Sequence, residues 1–177
     1  MMLRLLAPLA LAAALGAADG GKPTISREAL VEIERAWDRT VRGFNQADPY
    51  DVLGGARGLY LPGYGVVLTS EMSLVMTPAP SPFAPQPDAS AIARVHQRKV
   101  LRLETLKQNM RQMLAVAAAK LTEIPQDDRI ALSVTLYYRS WEDRTGLPNQ
   151  LVMRGERKAL LASKGEAPAA AIQTDVY

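Results

Sequence analysis

Arg94, Arg98 and Arg102 recur every four residues inside a stretch of helical periodicity, so they stack as a ridge along one face. Like charges at that spacing repel by about 0.2–0.5 kcal/mol per pair. Such a ridge needs an anion nearby: acids of the same chain, solvent and salt, lipid phosphate, or an acidic partner. A second candidate is the loop from Trp141 to Asn149, which mixes an aromatic, both charge signs and turn formers. Loops carried on rigid hairpins often hold binding residues, so Trp141, Asp143 and Arg144 join the arginines as candidate binding residues.

Catalytic chemistry is poorly supplied. His96 is the only histidine, and no serine sits in a G-x-S-x-G or S-x-x-K pattern. Mid-strand Ser70, Ser73 and Ser133 read as strand residues. Zinc would lack its usual ligands, since there is no cysteine. Asp127-Asp128 and Glu142-Asp143 lack the spaced acidic ladder of a calcium loop. The Gly54-Gly55-Ala56-Arg57-Gly58 run has no Lys-Ser/Thr opening a helix after it, so it reads as a turn, not a phosphate cradle. No catalytic residue, metal or cofactor is therefore expected. A hydrolase using two carboxylates stays open as an alternative; Glu71 is its best single acid, and a salt bridge from Glu71 to the basic helix is the plainer expectation.

These residues must be positioned by elements. Ser26 predicts a helix N-cap, with Leu30, Ile33, Trp37, Val41 and Phe44 on one apolar face running to about Arg42. Asp48 to Gly58 reads as a loop. Leu59–Leu61, a Pro62-Gly63 type II turn and Tyr64–Met76 read as a hairpin. Thr77 to Asp88 carries five prolines, Pro78, Pro80, Pro82, Pro85 and Pro87, which bar helix and central strand alike. Ser90 to Thr122 predicts a helix about 50 Å long. Its first half is expected to project beyond the sheet, because Lys99 interrupts the apolar face. Ile130–Tyr138 alternates as a strand; Gln150–Arg154 returns, and Glu156–Ser163 forms a short helix.

The fold class that results is α+β: a small mixed or antiparallel sheet of about four strands, in two hairpins, covered by two long helices. The domain organisation read from the sequence is a signal peptide at 1–18, a single exported domain at 19–163 and a flexible tail at 164–177. Arg4, the apolar run Leu5–Leu15 and Gly16-Ala17-Ala18 have the order of a secretory signal cleaved between Ala18 and Asp19. The apolar run, about eleven residues, is short of the roughly 20 that span a bilayer, and no later segment approaches a span.

The net charge is +3, but between Ser90 and Thr122 seven basic side chains face Glu104 alone. The compartment and the charge point together to an exported, periplasmic or secreted, non-enzymatic binding domain. Its partner would be an envelope protein or an anionic surface, and nucleic acid is not expected. Peripheral attachment to a membrane through the basic helix is the third reading.

Overall fold

The computed structural model describes residues 25–43, 47, 49–77, 83, 86–162 and 169–177. The expected signal at 1–18 lies outside them, as do Phe44 and Pro78, Pro80, Pro82 and Pro85 of the proline-rich connection.

Helix α1 is Arg27–Gly43. The Ser26 hydroxyl accepts from the Ala29 amide at 3.3 Å, the N-cap that the sequence predicts. Leu30, Ile33, Trp37 and Val41 are all buried, so the apolar face predicted from spacing is the core face. Helix α2 is Ala89–Lys120, capped by Asp88, whose carboxylate accepts from the Ala91 amide at 2.7 Å.

The sheet has six strands among the described residues: β1 Asp51–Val52, β2 Arg57–Leu61, β3 Gly65–Ser73, β4 Arg129–Leu136, β5 Gln150–Glu156 and β6 Gln173–Val176. A short helix, α3 Arg157–Leu161, follows β5. β3 and β4 pair in parallel at the centre, from Gly65 against Arg129 to Met72 against Leu136. All other pairings are antiparallel, so the sheet is mixed.

The expectation of about four strands in two hairpins is too small at both edges. At one edge β1 and β2 both pair with β3, and residues 53–56 bulge out between them. The expected loop from Asp48 to Gly58 is therefore a broken edge strand. Its freed amides find acceptors on α1: Ala56 N–H donates to Asp38 at 3.0 Å and Gly58 N–H to Glu34 at 2.8 Å. At the other edge, Gln173–Val176 pairs with β5 where a flexible tail was expected. Four residues with one β-branched apolar side chain give too weak an alternation to read as a strand; the ladder offered by β5 supplies what the local sequence lacks.

The Pro62-Gly63 turn is as predicted. Gly63 has φ +82°, and the Tyr64 amide donates to Leu61 O at 3.0 Å. Gly65, with φ +125°, is required by a second constraint: a β-carbon there would lie 2.0 Å from Arg129 O. Only glycine lets β4 approach the start of β3.

One contiguous core lies between the helices and one face of the sheet. Val66, Leu68 and Met72 of β3, Ile130, Leu132, Val134 and Leu136 of β4, and Leu151 and Met153 of β5 meet Leu106, Met110, Met113, Leu114 and Ala117 of α2. The alternate residues Thr69, Glu71, Ser133, Thr135 and Gln150 belong to the opposite face of the sheet. Arg157 is buried at the end of α2, donating to Ala118 O at 3.0 Å and Ile124 O at 3.3 Å. Among the described residues no helix is long and apolar enough to cross a membrane.

Candidate functional site

Residues 89–98 of α2 include none that is fully buried, whereas the second half of the helix lies in the core. Lys99 marks that boundary for a reason other than the expected one. It does not interrupt the apolar face by turning outward; it is fully buried. Its ammonium pairs with Glu142, itself buried, from the loop between β4 and β5. Glu142 accepts a second bond from the Thr77 hydroxyl at 3.1 Å. Arg139 donates to the Thr77 hydroxyl and to Thr77 O, both at 3.1 Å. Lys99 also lies 4.6 Å from the centre of the Tyr138 ring, whose hydroxyl donates to Pro148 O at 2.6 Å.

Burial pushes the Lys99 ammonium below the ordinary lysine range, and the Glu142 carboxylate partly opposes that shift. Tyr138 is pushed up to about 12, mainly by burial and then by Glu142. A buried pair with its remaining valences satisfied fixes geometry more than it adds stability. Here it fastens the loop to the helix. One turn earlier, His96 Nδ1 lies 3.2 Å from Asp143 O. A carbonyl can only accept, so this nitrogen carries the proton.

The two regions singled out by sequence thus meet. They meet with different residues than expected. Arg102 is buried, donating to Leu74 O at 2.8 Å and Pro49 O at 3.2 Å with its guanidinium over the Tyr50 ring. It closes the core and is not part of an exposed ridge, because the helix turns this position toward the end of β3. Arg94 and Arg98 are exposed, and Arg94 donates to the Ser90 hydroxyl at 3.0 Å. In the loop, Trp141 is half-buried, while Asp143 and Arg144 are exposed. Asp143 accepts from the Thr145 amide at 2.9 Å and hydroxyl at 2.7 Å, bonds that hold its carboxyl below the usual range. Its first role is to shape the loop.

No family model, curated protein or solved structure matches this chain. The site must be read from its own chemistry.

Thr77, Arg139, Lys99 and Glu142 form the network that sequence reasoning did not assemble. One signal was present: a lysine inside an otherwise apolar helical stripe asks for a buried acid. Nothing local identifies Glu142 as that acid. Glu71 does not make the expected salt bridge with the basic helix, since β3 presents it on the face away from α2. The groove it borders, lined by Gly54, Gly55, Arg57, Thr69, Ser70, Glu71, Ser133, Thr135 and Gln150, contains no second carboxylate. Acid–base hydrolysis by a carboxylate pair therefore finds no support there. Among the described residues no cluster of three or more metal-ligating side chains occurs.

Proposed function

We propose that this chain is an exported, non-enzymatic binding domain of the cell envelope, which captures an acidic partner through the start of α2 and the 141–149 loop. The observation that carries the reading is the fastening of that loop to the helix by Lys99–Glu142 and His96–Asp143. His96, between exposed Arg94 and Arg98 in the chain, touches the backbone of Asp143, which precedes exposed Arg144. Basic side chains carried on a helix and on a loop fastened to it steer an acidic surface toward the site.

The test is crosslinking of the mature protein in its native envelope, followed by mass spectrometry. One dominant protein should be joined through Arg94–Leu101 or the 141–149 loop. The triple variant Arg94→Glu, Arg98→Glu and Arg144→Glu should lose that capture while melting like the parent, because all three side chains are exposed. Undiminished capture by the triple variant overturns the reading.

A second reading is attachment to anionic lipid. Leu101, 73% exposed, one turn from Arg98 supports it: an apolar side chain beside cations suits a headgroup boundary. Binding to anionic phospholipid vesicles should then weaken steeply toward about 1 M salt, where screening shortens to about 3 Å. Absence of vesicle binding at low salt removes this second reading and leaves the first standing.

A further inference from the structure

The face of the sheet turned away from the helices carries a groove of about 340 Å³. Its floor is a row of neutral polar side chains from adjacent strands: Thr69 on β3, Ser133 and Thr135 on β4, and Gln150 on β5. The Gln150 amide donates to the Ser133 hydroxyl at 2.8 Å. At the rim the broken edge strand contributes Gly54 and Gly55, and nothing lies within 4 Å of where a Gly54 β-carbon would be.

Two charges of opposite sign border this floor. Arg57 is directly across from Thr69, and Glu71 follows two residues later on the same face of β3. That makes them diagonal neighbours, with α-carbons separated by about 7–8 Å. Both side chains are exposed, and neither forms an ion pair with any described residue. Elsewhere on the surface, acids and bases in reach of one another do pair: Lys120 with Glu32, Lys158 with Asp127, Arg154 with Asp175. A cation and an anion held apart over hydroxyls and an amide form a complementary frame for a molecule that carries both charges itself.

The geometry points to a binding site for a small zwitterion, an α-amino acid or dipeptide, with its carboxylate toward Arg57 and its ammonium toward Glu71. The volume is at the lower end for small-ligand sites, which limits the ligand to a short one. Arginine's planar fork suits a carboxylate, and the Glu71 carboxylate accepts only. Thr69, Ser133 and Thr135 are placed to serve the polar atoms between. This site lies on the opposite face of the sheet from the α2 surface and stands independently of it.

Calorimetric titration of the protein with alanine, Ala-Ala, N-acetyl-Ala-Ala and Ala-Ala-amide tests it. Saturable binding of alanine or Ala-Ala is expected, and whichever binds tighter sets the length of the ligand. Blocking either end should weaken binding at least about tenfold, as loss of a charge-assisted bond predicts. In Arg57→Gln the amide and the free acid should bind alike; in Glu71→Gln acetylation should cease to matter. Both side chains are exposed, so the variants should keep the parent's circular dichroism. No binding of alanine or Ala-Ala at millimolar concentration overturns the proposal, and so does binding that both variants leave unchanged.

Discussion

Lys99 is a fully buried charge among the described residues. Taking an ammonium out of water is tolerated only because Glu142 faces it and Thr77 completes the acid's bonding. Lys99→Met should therefore destabilise by about 3–5 kcal/mol, since it strands a buried carboxylate. The double variant Lys99→Met, Glu142→Leu should recover most of that loss. Urea denaturation of the three proteins checks both statements. The same residue sets a pH dependence. Its folded pKa is below 10.5, so between the two values the unfolded chain binds more protons and stability rises with pH. Tyr50 acts in the opposite sense. Burial pushes it up to about 12, so its contribution is full below pH 10 and is lost as pH climbs toward 12. The urea midpoint should peak just below pH 10 and fall by pH 11.5. Tyr50→Phe should flatten that fall by about 1–2 kcal/mol.

At the scale of elements, two short features decide how the layers join. Gly65→Ala would bring a β-carbon into Arg129 O at a positive φ, and should cost at least about 3 kcal/mol by parting the central parallel strands. Ser26 both caps α1 and bonds Glu123, its amide at 2.6 Å and its hydroxyl at 2.8 Å. Ser26→Ala should cost about 1 kcal/mol, read as a lower melting temperature. These elements also show what a sequence can disclose. Both long helices, the Pro62-Gly63 turn and the alternation of β4 are periodic or local signals, and each was legible. The strands β1 and β6 were not, because each is too short to have a period and exists through the neighbour it pairs with. At the candidate surface, Arg94 and Arg98 were legible as exposed. The burial of Arg102 was not: i, i+4 spacing gives a direction on the helix, whereas the carbonyls of Leu74 and Pro49 that receive it come from elsewhere in the chain.

Across the whole molecule, charge that looks lopsided along the chain is evened out in space. Lys120 meets Glu32 of α1, Lys99 meets Glu142, and Arg102 and Arg157 are spent on backbone carbonyls. At the start of α2, Arg94 and Arg98 are exposed to solvent. That start also lacks core burial, so its amides should exchange with solvent far faster than those of residues 103–118. Hydrogen–deuterium exchange should show a sharp step near Lys99, where the buried pair begins. Equal protection along the helix would contradict the picture of a supported projection.

The parallel pairing of β3 with β4 has a consequence in time. The two central strands are neighbours in space but are separated in the chain by the whole of α2 and its connections. During synthesis β3 emerges after α1 and its hairpin partner; its core face waits for α2, and its second edge waits for a strand made later still. Closing so large a loop precedes any reward from the central ladder, so this topology should fold slowly for its size. Until β4 arrives, the edge of β3 from Gly65 to Met72 is an unpaired ladder open to other chains. The molecule is therefore most vulnerable as a half-made one, before any partner is in reach.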